Sequence, residues 1–254
     1  MDKPKLIERI TEKKEFSRLP EKDVEMIFEK FNKPYLTDLE KIKKTRDLLR
    51  KVYSVFASGK LLTLKNRDSE WILKKHISTR ERFPFYQEIY NKLLGDYKKS
   101  LTVFDLGCGV NGFSYSFFPF SLNYFGVESI GQLVDLQNHY FKSEKIRGLV
   151  IHESLFNLEK IKKILSKGKG KKIIFLFKVI DSLEMVERNY SKKFLEEVSS
   201  KVNKIVVSFA TRSLMKRSKF RVNRNWIYYF IKENFNLEED FEIGAERYLV
   251  FSKR

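Results

Sequence analysis

Cysteine is almost missing from this sequence: the 254 residues hold one, Cys108. A lone thiol excludes an internal disulfide framework, a multi-cysteine zinc site and the cysteine-ligated cluster of a radical enzyme, and no other metal-ligand spacing stands in for them. It also suits a reducing compartment, read here as the cytoplasm. Long apolar runs are missing as well. No segment approaches the roughly 18 consecutive apolar residues of a membrane span. Residues 1–16 alternate charge with apolar side chains and lack the unbroken apolar core of a signal peptide, so no membrane partner is expected. Acidic residues fall short of basic ones, 33 Asp and Glu against 51 Lys and Arg, which leaves a net charge of +18 and a pI near 9.7. Such an excess points to a polyanion, with nucleic acid the leading candidate. A chain that merely spends lysine on every solvated face would look the same, so the motifs must decide.

The apolar fraction of 42% supports a full core, and the length suits one α/β domain with an appended piece. Residues 1–98 read as an all-helical, basic extension suited to docking on RNA or the ribosome. Leu39, Ile42, Leu49, Val52 and Phe56 recur at helical spacing as a packed face, with Lys41, Lys44 and Lys51 off it. A loop is expected over 58–68, and helical patterning resumes at Trp71 and again through Tyr86, Ile89, Tyr90 and Leu93. Residues 99–254 change to strand candidates separated by helices: 101–106, 123–127, 148–152, 172–177 and 204–209. Two more strands, 237–243 and 247–251, lie too close together for a helical crossover and should form an antiparallel hairpin. Five βα units closed by such a hairpin resemble the class I methyltransferase sheet, a Rossmann-like mixed sheet. The run 167–172, alternating lysine and glycine, reads as a flexible solvated loop.

The stretch Val103-Phe-Asp-Leu-Gly-Cys-Gly-Val-Asn-Gly112 follows the first strand. Its glycines permit a tight strand-to-helix turn and close approach of a ligand. Gly107, Gly109 and Gly112 satisfy the dinucleotide fingerprint, with Glu128 placed for a ribose, so a nicotinamide cofactor remains a competitor on spacing alone. Asp105 tilts the choice. A carboxylate two residues before the first glycine repels a pyrophosphate but suits the ammonium of a methionine moiety, which makes S-adenosylmethionine the better fit. Glu128 would then accept both ribose hydroxyls.

His76-Ile-Ser-Thr-Arg-Glu-Arg82 can be read as the cap of a helix. Placed shortly before Asp105-Leu-Gly-Cys-Gly109, it also resembles the small-subunit ribosomal RNA guanine-N7 methyltransferases of the aminoglycoside-resistance type. The segment 175–180 is similar to that family's fourth strand with the lysine that follows it, and 207–214 to the stretch after its fifth. Ala210 and Asp181 stand where the family has proline. The resemblance covers about Trp71 to the C-terminus. It implies that Arg82 holds the cofactor carboxylate with His76 and Ser78 nearby, that Arg212 and Ser213 face RNA, and that Trp226 occupies a family position on the next helix. It further implies a substrate of structured RNA, small-subunit rRNA or the assembled small subunit, and a monomeric enzyme.

The reaction type is narrowed by further absences. No Asn/Asp-Pro-Pro-aromatic motif for methylating an exocyclic amine follows the fourth strand, and no cysteine nucleophile stands near strands four and five for a pyrimidine carbon. Guanine N7 presents a bare lone pair and needs alignment but no general base. No catalytic residue is therefore assigned; Lys178, Arg212 and Trp226 are positioning candidates. Ribose 2'-O-methylation competes through a hydroxyl-activating pair of Lys178 and Asp181, and other RNAs such as tRNA, or a scaffold that binds RNA without turnover, stay open. Lys216, Arg217, Lys219, Arg221 and Arg224 form a basic cluster after the fifth strand, read as a phosphate-binding rim. Among the aromatics beside it, Tyr229 and Phe230 are expected to be a buried helix stripe, whereas Trp226 divides evenly between core and stacking face.

Overall fold

The computed structural model describes residues 2–54, 68–97, 100–211 and 224–254. Helices come first. They are α1 (Lys3–Thr11), α2 (Glu21–Phe31), α3 (Asp38–Leu49, running on into a π-turn over Arg50–Ser54), α4 (Ser69–Lys75), α5 (Ile77–Arg82) and α6 (Tyr86–Leu94). Local chemistry starts several of them. Asp2 caps α1 ahead of Pro4, Asp68 caps α4, and Thr37 with Glu40 forms a reciprocal capping box on α3. The packed face of α3 is Ile42, Thr45 and Leu49, and Val52 continues it. Thr45 tolerates burial because its hydroxyl donates to the Lys41 carbonyl at 2.7 Å. Leu39, expected on that face, is 68% exposed: it belongs to the solvent-facing first turn that the capping box holds. Phe56 and the loop expected over 58–68 lie outside the described residues, apart from Asp68.

The strands are β1 (Leu101–Leu106), β2 (Asn123–Glu128), β3 (Gly148–His152), β4 (Lys171–Phe177), β5 (Lys204–Ala210), β6 (Phe235–Ile243) and β7 (Glu246–Lys253). They form one sheet in the order β3-β2-β1-β4-β5-β7-β6. The first five are parallel, and β7 runs antiparallel between β5 and β6. Helices α7 (Gly131–Ser143), α8 (Leu158–Ser166), α9 (Ile180–Val186), α10 (Tyr190–Ser199) and α11 (Asn225–Asn234) complete the layers. Every residue of β1 is buried, as a central strand covered on both faces requires. The chain reverses direction of winding between β1 and β4, so a crevice opens at the carboxyl ends of these strands, where α/β sheets bind ligands.

Two local expectations are corrected, and a third is sharpened. After Gly112 the chain forms not an α-helix but a 3₁₀ segment, Asn111–Phe117. Side-chain bonds set it: the Ser114 hydroxyl donates to the Asn111 carbonyl at 2.6 Å and the Gly112 N–H donates to Gln137 Oε1 at 3.0 Å. The lysine–glycine run is exposed over most of its length, as expected, but it is tethered. Thr102 Oγ1 donates to the Lys169 carbonyl at 2.7 Å, and at Gly170, φ +72°, a Cβ would stand 1.9 Å from the Ser100 carbonyl oxygen, so the run stitches the entry of β4 to that of β1. Finally, α11 buries Ile227 and Ile231 and leaves Tyr229 54% exposed, with Phe230 half-buried; residues four apart share a face and Tyr229 lies opposite.

One hydrophobic core runs without a break from Leu6, Ile10 and Phe28 of the first helices, through Tyr86 and Tyr90 of α6, to Phe104, Phe175 and Phe251 in the sheet. The two regions are also tied by polar contacts, the Gly131 N–H donating to the Arg18 carbonyl at 3.2 Å and Arg18 pairing with Asp135.

Candidate functional site

A cleft enclosing about 890 Å³, mouth included, lies across the carboxyl ends of β3, β2, β1 and β4. Its floor is the turn after β1. Gly107 and Gly109 adopt φ of +74° and +57°, a region that side chains with a Cβ resist. At Gly109 a Cβ would also meet the His76 ring at 3.1 Å. The Gly109 N–H donates to Glu128 Oε2 at 2.8 Å, and the Ile130 N–H donates to Oε1 at 2.9 Å. Glu128, at the tip of β2, is thereby fixed with lone pairs left over for a ligand. Burial pushes its carboxyl up to about 7 against those backbone bonds. Asp105 Oδ2 accepts from Asn111 Nδ2 at 2.7 Å and from the Tyr124 hydroxyl at 2.8 Å. Burial raises it to about 6, with these bonds and the Arg82 charge pulling the other way.

Arg82 arrives from the end of α5. Nη1 donates to Asn111 Oδ1 at 3.2 Å and Nη2 to Glu246 Oε1 at 2.7 Å, and its plane stands 4.5 Å from the centroid of Phe177. Asn111 therefore bridges Asp105 and Arg82, presenting an anion and a cation side by side. The Nε of Arg82 is buried with no hydrogen-bond partner. Lys178, the residue after β4, holds φ +62° and pairs with Glu81 at 2.6 Å and Glu246 at 3.3 Å. Glu246 also accepts from Ser208. Burial alone would raise its carboxyl, but the Arg82 and Lys178 charges and these bonds hold it below the usual range. Beside them His76 is buried, and desolvation with the Arg82 and Lys178 charges lowers it to about 3, so the ring is neutral.

Every residue named for a cofactor from the sequence thus lies on this cleft: His76, Ser78, Arg82, Asp105, Gly107, Gly109 and Glu128, together with Lys178. Lys178 is 7% exposed at its side chain, a buried group in an ion network and not a strand-end charge reaching water. The proposed partner Asp181 is engaged elsewhere: Arg224 approaches it at 2.5 Å and donates to the Ala210 carbonyl at 2.7 Å. Arg224 is accordingly committed to holding α11 against the end of β5. Trp226 packs half-buried with Lys192 Nζ 5.7 Å from its ring and does not join the cleft. Arg212, Ser213, Lys216, Arg217, Lys219 and Arg221 lie outside the described residues, as does Phe220.

Sequence reasoning missed four participants. Glu81 and Glu246 complete the cation network, and Asp23 and Tyr53 of the N-terminal helices line the cleft. Periodicity flags Tyr53 only as a neighbour of Val52, and nothing near Asp23 or Glu246 in the chain distinguishes them from solvated acids. No cluster of His, Cys, Asp or Glu able to hold a metal occurs among the described residues, and none of their helices is long and apolar enough to cross a membrane.

The donor set can be tested against S-adenosylmethionine. An amino-acid end needs an anion for its ammonium and a cation for its carboxylate, and a ribose needs a fixed acceptor pair. Asp105, the unfilled Arg82 Nε and Glu128 supply these respectively, with Arg82 and Asp105 adjacent and Glu128 on the neighbouring strand β2, so the residues fit the group.

Comparison with known proteins agrees. The curated 16S rRNA (guanine(1405)-N(7))-methyltransferase of Proteus mirabilis is 24% identical over 191 residues, covering 72% of this chain and 64% of the relative, and that of Micromonospora rosea is 24% identical over 200 residues, covering 70% and 69%. The chain thus spans somewhat less than two thirds of the first of these. Among solved structures, the 16S rRNA methyltransferase RmtF in complex with S-adenosyl-L-homocysteine superposes with a TM-score of 0.82 at 18% identity, covering 100% of both chains. The 16S rRNA methylase RmtB does so at 0.78 and 17%, covering 100% and 99%. The architecture is the class I methyltransferase fold that the strand layout resembles. Residues 4–226 match the family model described as ribosomal RNA methyltransferase (FmrO), and since that match takes in the helical region, the cleft and the fifth strand together, the chain belongs to the FmrO family of ribosomal RNA methyltransferases.

Proposed function

We propose that this chain transfers a methyl group from S-adenosylmethionine to N7 of a guanine in small-subunit rRNA. The observation that carries the cofactor is the Asn111 bridge: one amide accepts from Arg82 and donates to Asp105, which creates the paired charges an amino-acid zwitterion requires and a pyrophosphate does not. Bound there, the cofactor supplies an electrophilic methyl on its sulfonium. The chain's own work is to bind and to align. Asp105 and Arg82 hold the amino-acid end, Glu128 the ribose, and the neutral His76 with Ser78 and Thr79 of α5 walls the cleft. Guanine N7 carries no proton, so a site whose His76 is uncharged and whose Lys178 is held by two carboxylates needs no base.

The same contacts weigh against ribose methylation, because Lys178 and Asp181 are each held by other partners. The target assignment is supported by the two curated relatives, both named for guanine N7 of 16S rRNA. Docking is assigned to the basic helical region and to the segment 212–221, whose Arg212, Lys216, Arg217, Lys219 and Arg221 with Ser213 would meet phosphates. The chain is taken to act as a cytoplasmic monomer of 30.4 kDa, which light scattering checks.

The test is calorimetry with S-adenosylmethionine, followed by incubation of assembled small subunits and naked rRNA with labelled cofactor. Methyl incorporation with an aniline-sensitive break at one guanosine supports the reading. Cofactor binding without incorporation would reduce the chain to an RNA-binding scaffold, and label in a ribose or an exocyclic amine would replace the chemistry. Raised aminoglycoside tolerance in a susceptible host expressing the chain would show that the modification protects.

A further inference from the structure

Three carboxylates line the cleft, and the reading above uses two of them, Asp105 and Glu128. The third, Asp23, comes from α2, more than a hundred residues away in the chain from the strand it faces. It is fully buried, and no Lys or Arg forms an ion pair with it among the described residues. Three hydroxyls answer it instead. Ser154 donates to Oδ1, and Tyr53 at 2.7 Å and Ser129 at 3.4 Å donate to Oδ2. Burial pushes its carboxyl up, and the three hydroxyls pull it down again. A carboxylate offers about four lone-pair directions, so at least one acceptor position is unspent, in a place where an unanswered acceptor is costly.

Its place in the fold says what donor it awaits. Strands stand about 4.8 Å apart, so from β3 to β4 the cleft crosses roughly 14 Å of strand ends. Arg82, Asp105 and Lys178 occupy the β1 and β4 end and Glu128 the tip of β2, which leaves the β3 end for the base of a nucleoside whose ribose sits at Glu128. There Ser154 and Ser129, beyond β3 and β2, both bond Asp23. Apolar side chains suited to the faces of a flat ring flank them: Ile130, Leu133, Leu155 and Phe156. Adenine and hypoxanthine differ along one edge: adenine presents an exocyclic amine, a donor, beside an unprotonated N1, where hypoxanthine presents a carbonyl oxygen beside a protonated N1.

We propose that Asp23 is the residue that selects adenine in the cofactor, accepting a hydrogen bond from the exocyclic amine, so that a side chain of the N-terminal helices reads the base while the sheet reads the rest. The assignment rests on the cofactor reading above. A base carrying a carbonyl at that edge would set an oxygen against the carboxylate and lose a charge-assisted bond at once.

The experiment measures binding of S-adenosylhomocysteine and of its inosine counterpart, S-inosylhomocysteine, to the full chain by calorimetry. The wild-type protein is expected to prefer the adenosyl compound by at least about tenfold, the order set by one hydrogen bond to a charged group. In Asp23→Asn, where the amide can turn a donor to the carbonyl, the two ligands are expected to bind within about threefold of each other. A purely structural Asp23 would weaken both equally and keep the ratio, and an unchanged ratio in D23N overturns the proposal. Should D23N not fold, the wild-type protein still decides, because a ratio near one overturns it as well. Failure of both ligands to bind the wild-type chain is a different result: it removes the cofactor reading and the assignment built on it.

Discussion

Replacing Glu246 by Gln removes one charge from the most buried ion network among the described residues with little change of volume. In the folded chain Glu246 faces Arg82 at 2.7 Å and Lys178 at 3.3 Å, with side-chain exposures of 4%, 1% and 7%. Lys178 keeps Glu81 at 2.6 Å, and Arg82 keeps Asn111 and the face of Phe177, so the loss falls at the lower end of the range for breaking a buried pair, about 3 kcal/mol. For a chain of this size that corresponds to a fall in Tm of roughly 6–12 °C. The sign reverses for ligand binding. With Glu246 neutral, Arg82 loses its paired carboxylate, and a cofactor carboxylate replaces the missing anion. Thermal unfolding followed by circular dichroism, with and without saturating S-adenosylhomocysteine, should therefore show a lower Tm for Glu246→Gln and a larger upward shift on adding ligand than the wild type shows. A variant whose Tm lies within about 2 °C of wild type, or whose ligand shift is no larger, would refute the claim that Glu246 compensates Arg82 in the empty cleft.

Other consequences follow from the same geometry. Gly107→Ala places a Cβ at φ +74° and 2.8 Å from Val179 Cγ2, so it should cost about 2 kcal/mol of stability and displace the cleft floor; retention of wild-type Tm and wild-type cofactor affinity would contradict the turn. Asp105 and Glu128 stand at about 6 and about 7, above their ordinary values. The fold thus favours their protonated forms, and the penalty for ionising them, absent below about pH 4, is complete above about pH 7. Because an ammonium and ribose hydroxyls favour the ionised forms, affinity for S-adenosylhomocysteine should rise from about pH 5.5 to about pH 7.5, and binding should release protons. Calorimetry in two buffers of different ionisation enthalpy measures that release, and proton uptake would reverse the argument. Arg224→Ala should lower stability by about 1 kcal/mol through the lost Asp181 and Ala210 contacts, whereas Tyr229→Ala should stay within about 0.5 kcal/mol. Loss of RNA affinity at unchanged Tm in the arginine variant would return Arg224 to the phosphate rim.

What could be read from the sequence was what short-range chemistry dictates. The strand boundaries were legible to within two residues at all seven strands, because buried parallel strands are apolar runs bounded by turn residues and the hairpin by Gly244. Asp105, Gly107, Gly109 and Glu128 were legible because strand ends and glycine turns fix where those side chains fall. Side chains that meet only through the fold were not. Asp23 and Ser154 are 131 residues apart, and Arg82 and Glu246 164 apart, so no local spacing couples them. Leu39 and Tyr229 failed for a related reason: helical period assigns a residue to a face, whereas its burial depends on whether another element reaches that turn.

The contact between Asp23 and the serines beyond β2 and β3 makes the N-terminal helices part of the cleft wall. A chimera that exchanged residues 1–54 for those of a distant relative would also replace one side of this cleft, to which Asp23, Val52 and Tyr53 contribute. Such grafts can succeed only when donor and recipient agree at this seam.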